Sequence, residues 1–148
     1  MKRIDTRAPV RLDLAGGWTD VPPYTHDMGG EVVNVAINIY AHSTLDIDAD
    51  GKLSVNYRCD APVGSGLGTT GAINVALMAA INGSENAEEA AYQFEALLGN
   101  TGGRQDHLDA KYWGFNHLMF IGDAVEEMQF DPPNPHFGQM AVRLRLEE

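Results

Sequence analysis

Cysteine is almost missing from this chain. Cys59 is the only one, which excludes a disulfide framework and any cysteine-rich metal site and leaves Cys59 as a small core hydrophobe. Basic residues are scarce as well. Ten Lys and Arg stand against 21 Asp and Glu, a net charge of −11, and they form no basic cluster, so neither nucleic acid nor an anionic membrane surface is an expected partner. No apolar run reaches transmembrane length and no secretion-type leader opens the sequence, which makes the cytoplasm the expected compartment. The five histidines, His26, His42, His107, His117 and His136, have no metal-ligand spacing. There are no internal repeats or low-complexity tracts. Asn82–Gly83–Ser84 has the wording of a glycosylation acceptor but reads as a turn. With 148 residues and 44% hydrophobic content, the expectation is one globular domain with a real core.

Glycine is plentiful in one place. Pro62–Val63–Gly64–Ser65–Gly66–Leu67–Gly68–Thr69–Thr70–Gly71–Ala72 runs straight into the apolar segment Ile73–Ile81, whose spacing is helical. The glycines let the backbone turn tightly and approach a ligand, and a helix N-terminus offers unpaired N–H groups and the positive end of the macrodipole to an anion. Thr69 and Thr70 add hydroxyls where a phosphate or its Mg²⁺ would sit. The loop therefore reads as a phosphate cradle. It holds no lysine, which excludes the P-loop pattern. Gly66–Ala72 does match the dinucleotide pattern G-x-G-x-x-G-A, but Arg58–Pro62 ahead of it is polar and proline-broken rather than an apolar parallel strand. A merely structural turn between strand and helix is the plainer alternative.

Arg3–Leu14 reads as extended with a break at Pro9, and Ala15–Gly30 as loop. Glu31–Asp48 reads as one long bent strand or two, Asp48–Gly51 as a hairpin turn and Lys52–Arg58 as the returning strand. Helices are expected at Thr70–Ile81, from an Asn86/Glu89 capping box to Gly99, and over Gly103–Trp113. Phe115–Ile121, Gly122–Asp123 and Ala124–Phe130 form an expected hairpin. After a break at Pro132–Pro135, the alternation of Met140, Val142, Leu144 and Leu146 predicts a last strand. Strands first, helices next and strands last argue for an α+β fold.

Three further segments supply groups that phosphoryl transfer needs. Arg11 and Asp20 flank a short glycine-containing turn. The guanidinium suits charge building on a transferred phosphoryl group, and the carboxylate suits sugar hydroxyls. In Gly102–Gly103–Arg104–Gln105–Asp106 a carboxylate falls in the first turn of a helix, where it could deprotonate an attacking hydroxyl. Glu95, eleven residues earlier, is a candidate Mg²⁺ carboxylate. Each also has a duller role: Asp106 as a complement to the helix dipole, Glu95 on a solvated helix face, Arg11 as a surface strand residue.

Taken together, Arg7–Asp20, Pro62–Ala72 and Gly102–Asp106 resemble, in order, the three N-terminal motifs of the GHMP kinases. The wording Ala15–Gly16–Gly17–Trp18–Thr19–Asp20–Val21–Pro22–Pro23 is similar to the sugar branch, with its fucose kinases and heptose-phosphate kinases. The resemblance implies an α+β domain like ribosomal protein S5 domain 2, a mixed sheet with helices packed on one face. It implies an ATP- and Mg²⁺-dependent kinase acting on a small sugar or sugar phosphate. Asp106 would be the catalytic base and Arg11 the phosphoryl-stabilising cation. Pro62, Gly64, Ser65, Gly66, Leu67, Gly68, Thr69 and Thr70 would bind the nucleotide, with Thr69 and Glu95 near the metal. Asp20, Thr19, Trp18 and Gly103 would bind the sugar. Thr69, Thr70 and Gly71 stand where Ser, Ser and Ala are usual, and His107 where Gln is common. The likeness spans Lys2–Phe130, with a short interval between Asp50 and Asp60 where relatives carry a helix-containing segment. No third glycine-rich motif follows Gly114. The implied organisation is an N-terminal ATP/sugar-binding domain over residues 1–130, a short C-terminal segment over 131–148, and no C-terminal kinase domain. A non-catalytic nucleotide- or phosphosugar-binding module and, more remotely, a dinucleotide-dependent oxidoreductase are the rival expectations.

Overall fold

A computed structural model of the protein describes residues 1–62, 64–100 and 102–130. The predicted strand at Met140–Leu146 and the segment 131–148 lie outside the described residues. The fold is α+β. Strand β1 (Lys2–Ala15) pairs antiparallel with the long β2 (Gly30–Ile47), and a short helix, α1 (Tyr24–Asp27), sits in the loop between them. Strand β3 (Leu53–Cys59) returns along the C-terminal half of β2. Three helices follow: α2 (Thr69–Asn82), α3 (Ala87–Leu97) and α4 (Gln105–Asp109). The hairpin β4 (Phe115–Ile121) and β5 (Ala124–Phe130) closes the sheet, with β4 against the N-terminal half of β2.

The expected mixed sheet is corrected to an antiparallel one: every pairing among the described strands is antiparallel. Short turns such as the one after Asp48 can join only antiparallel neighbours, whereas a parallel pair needs a long crossover. The glycine loop thus follows an antiparallel strand, and the context that a dinucleotide fingerprint requires is not present. The break expected at Pro9 is a register shift between Pro9 and Arg11 within a continuous strand, which tolerates a residue without an N–H.

Helix α2 lies across β1 and β2. Ala72, Val75, Ala76 and Met78 of this helix are buried with Ala8, Val10, Ile37 and Ala41 of the sheet, so mostly small side chains let it come close, while Gly71 lies against Asp106. Gly83, with φ +90°, ends the helix. A second cluster of Val32, Leu118 and Phe120 packs under Leu108. Burying side chains of this size contributes about 1.5–3 kcal/mol each.

Two helix boundaries differ from expectation. The expected capping box at Asn86 does not form. Asn86 adopts φ +56° without a side-chain cap, and Glu89 bonds Gln93 and Arg104 instead. The helix predicted over Gly103–Trp113 spans only Gln105–Asp109. Its continuation is lost to tertiary contacts: Lys111 pairs with Glu88, and Trp113 lies 5.8 Å from the Tyr40 ring.

Candidate active site

A cavity of about 300 Å³ opens where the start of α2, the end of α3, the start of α4 and the loop after β1 meet. Its charged wall is built around Arg11. The register of β1 turns this side chain under the glycine loop, and its own N–H donates to the Leu67 carbonyl at 3.0 Å. The guanidinium then spans two elements. NH1 donates to the Gly66 carbonyl at 2.7 Å, while Nε and NH2 both donate to Asp106 Oδ1, at 2.9 and 2.5 Å. Asp106 Oδ2 accepts no hydrogen bond from the described residues and is left for the cavity. Arg11 is buried (8% exposed), so this fork is far more than a surface ion pair.

Gly64, Gly66 and Gly68 all take left-handed φ values, which explains why the loop is glycine-rich. Gly68 heads α2, and no side chain caps that helix. A Cβ on Gly68 would stand 3.1 Å from Asp106 Cγ and 3.3 Å from Arg11 Cγ. The uncapped N–H groups of α2 therefore sit directly over the Arg11–Asp106 pair.

Asp20 reaches the same wall from the loop after β1. It is buried, and its Oδ2 accepts the Gln105 N–H at 2.9 Å, supplying a cap that α4 lacks in its own sequence. Its Oδ1 has no hydrogen-bond partner of good geometry among the described residues. Burial pushes the carboxyl above its usual range, Asp106 and Asp13 push the same way, and the N–H groups of Gln105 and of Asp20 itself only partly offset them. Gly103 is required beside it, because a Cβ there would overlap the Asp20 carboxylate.

Glu95 arrives on α3 by helical spacing. Ala87, Ala91 and Glu95 share the buried face, so the stripe that packs on α2 delivers a carboxylate at its end. Oε1 accepts Asn74 Nδ2 at 2.6 Å and lies 3.1 Å from His107 Nε2, and Oε2 accepts Asn100 Nδ2 at 2.8 Å. Burial alone would raise its pKa, but His107, Asn74 and Asn100 together outweigh that and bring it below the usual value.

The structure gathers Arg11, Trp18, Asp20, Thr70, Glu95, Gly103 and Asp106 around the cavity. Other expected residues stand back from it. Thr69 is buried in the first turn of α2, and Thr70 carries the hydroxyl on the cavity wall. Thr19 is spent within its loop, where Oγ1 donates to the Gly16 carbonyl at 2.7 Å and accepts the Glu31 N–H at 3.0 Å. Leu67 is a core residue, and Pro62, Gly64, Ser65, Gly66 and Gly68 form the loop without lining the cavity. Asn74, Asn100, His107 and Asp109 were not foreseen as site residues. Only the spacing of Asp106 and Asp109 on one predicted helix could have signalled any of them.

No protein-family profile matches the chain. A D-glycero-alpha-D-manno-heptose 7-phosphate kinase of Campylobacter jejuni is 29% identical over 177 residues, taking in 83% of this chain and 52% of that protein. The crystal structure of a D-glycero-D-manno-heptose 1-phosphate kinase from Bacteroides thetaiotaomicron matches with a TM-score of 0.73 at 25% identity, over 86% of this chain and 60% of the other. Over most of its length the chain is similar to sugar kinases of these kinds. An L-fucokinase/L-fucose-1-P guanylyltransferase of Bacteroides fragilis is 54% identical over a stretch of 41 residues, 28% of this chain and 4% of that protein. The chain spans about half the length of the heptose-phosphate kinase. The aligned span of 177 residues exceeds the 148 of the whole chain, so that kinase carries segments this chain lacks. No helix of the described residues is long and apolar enough to cross a membrane.

Proposed function

We propose that residues 1–130 form the ATP- and sugar-binding domain of a kinase that phosphorylates a hydroxyl of a sugar or sugar phosphate, with 131–148 a short C-terminal segment. One observation carries the reading. A buried guanidinium joins the glycine-loop carbonyl to a carboxylate whose second oxygen is left for the cavity.

The residues present fit a nucleotide phosphate. The uncapped start of α2, left-handed glycines and Arg11 converge there, and an anion at a helix N-terminus is favoured by dipole and N–H groups alike. Mg²⁺ fits less completely. Among the described residues no three His, Cys, Asp or Glu side chains cluster to hold a metal. Mg²⁺ is commonly held by one or two carboxylates together with substrate phosphates, and Glu95, with Thr70 beside it on the wall, meets that lesser demand. MgATP, when bound, supplies the phosphoryl group and part of the neutralisation of its charge.

Each side chain then has a task. Asp106 Oδ2 accepts the proton of the attacking hydroxyl as its oxygen bonds to phosphorus, and the bond to the leaving ADP oxygen breaks. Arg11 stays aimed by the Gly66 carbonyl and faces the charge that develops between the two oxygens. The Asp20 carboxyl, which lines the cavity, accepts a sugar hydroxyl, and the exposed Trp18 ring offers a flat apolar face at the cavity mouth. Asp20 thus serves both the α4 cap and the sugar.

A coupled ADP-release assay over a sugar panel that includes L-fucose and heptose phosphates tests the proposal. Sugar-dependent ADP formation with MgATP is expected. Saturable protection by ATP or a sugar phosphate with no ADP would make the chain a binding module instead.

A further inference from the structure

The roles above use the cavity side of Arg11 and leave the group beneath it without a task. Asp109 follows Asp106 by three residues on α4, a spacing that brings both carboxyls to the same side of the helix. Asp106 meets the cavity, whereas Asp109 is fully buried at 0% exposure. Its Oδ2 lies 3.8 Å from Arg11 Nε, and neither of its oxygens has a hydrogen-bond partner of good geometry among the described residues. A carboxyl taken out of water without such partners is costly unless it is paired or holds a proton. Four groups face it: Arg11 and Asp13 from β1, Asp106 on its own helix and neutral Asn34 from β2. Asn34 is itself held by Asn116 of β4, whose Nδ2 donates to Asn34 Oδ1 at 3.3 Å.

We propose that Asp109 is the positioning residue for Arg11, fixing the guanidinium from below so that its outer nitrogens stay on the Gly66 carbonyl, Asp106 and the cavity. Besides Asp106, Asp109 is the one other acidic side chain of the described residues within 4 Å of the guanidinium. Burial pushes the Asp109 carboxyl well above the usual carboxylate range, and Asp106 and Asp13 add to this while Arg11 and Asn34 oppose it. A protonated Asp109 fills the space under Arg11 without drawing its charge away from the cavity. The inference rests on the proposed function for what Arg11 does, but not for where it is held.

The test follows the Arg11 Nε–Hε resonance of the ¹⁵N-labelled 148-residue chain across pH, in wild type and in Asp109→Asn and Asp109→Ala. Wild type should show a titration step above the ordinary carboxylate range. Asp109→Asn should keep the resonance and lose that step, and Asp109→Ala should broaden or lose the resonance. In wild type, the ¹³C carboxyl shift of Asp109 should titrate together with the Arg11 signal, which keeps the test open if a variant does not fold. An unchanged Arg11 titration in Asp109→Asn, an unchanged Arg11 resonance in Asp109→Ala, or an Asp109 carboxyl that titrates apart from Arg11 would each overturn the proposal. None of these readouts involves substrate, so failure here is separate from a failure to release ADP.

Discussion

Replacing Asp20 in two ways separates what it does for the fold from what it does for a ligand. In Asp20→Ala the Gln105 N–H loses its acceptor at a buried site, and leaving such a donor unpaired costs about 1–3 kcal/mol. For a domain of this size that lowers Tm by roughly 2–4 °C per kcal/mol, so about 2–12 °C in all. In Asp20→Asn the amide oxygen can still accept from Gln105 and the volume is kept, so stability at neutral pH should stay within about 1 kcal/mol of wild type. The pH dependence has a definite sign. The folded-state pKa of Asp20 is raised by burial, so its contribution is fully present below the unfolded value of about 3.9 and is lost as pH rises through the folded value. Asp20→Asn should therefore gain on wild type as pH is raised out of the acid range. Urea melts of the three proteins across pH, read alongside sugar binding, make the comparison. If Asp20→Ala melts with wild type, Asp20 is not the cap of α4. If Asp20→Asn binds sugar undiminished, it is not a ligand for hydroxyls.

Three further substitutions probe the rest of the wall. Gly68→Ala puts a Cβ on a left-handed residue and against the Arg11–Asp106 pair, so it should cost about 1–2 kcal/mol and weaken ATP binding in calorimetry. Arg11→Ala removes the counter-charge of Asp106 and the buried Asp109, and a denaturant melt should show a loss of about 3 kcal/mol, the low end for a broken buried pair because Asp106 remains a third exposed. It should also depress turnover; an effect confined to sugar affinity would contradict its assigned role. Glu95→Gln should raise the Mg²⁺ concentration needed for ATP binding by about tenfold, equivalent to roughly 1.4 kcal/mol, whereas an unchanged Mg²⁺ requirement would remove Glu95 from the metal.

Local patterns carried much of the fold. The Asp48–Gly51 turn, the β4–β5 hairpin around Gly122–Asp123 and helix α2 within a residue at each end follow from turn chemistry and hydrophobic periodicity. The bend at Pro9 was legible too, as a register shift rather than a gap. What local pattern missed depends on partners far away in sequence. Asn86 could not reveal that Glu89 would turn to Arg104, and nothing near Trp113 announces Tyr40. In the site, motif order pointed to Arg11, Asp20 and Asp106, which all line one cavity, with Arg11 bonded to Asp106. It did not reveal that Thr69 faces inward and Thr70 outward, since that depends on how α2 seats on the sheet. Nor did it reveal the amides around Glu95, which only the packing of α2 on α3 brings there.

Phosphoryl transfer by wild type and Asp106→Asn, with ATP binding measured on the same samples, tests most directly whether this carboxylate works as a base. Turnover should fall by roughly 10²–10⁴ while ATP affinity stays within about twofold. Equal turnover in the two proteins, or a loss of ATP binding as large as the loss of turnover, would contradict the account.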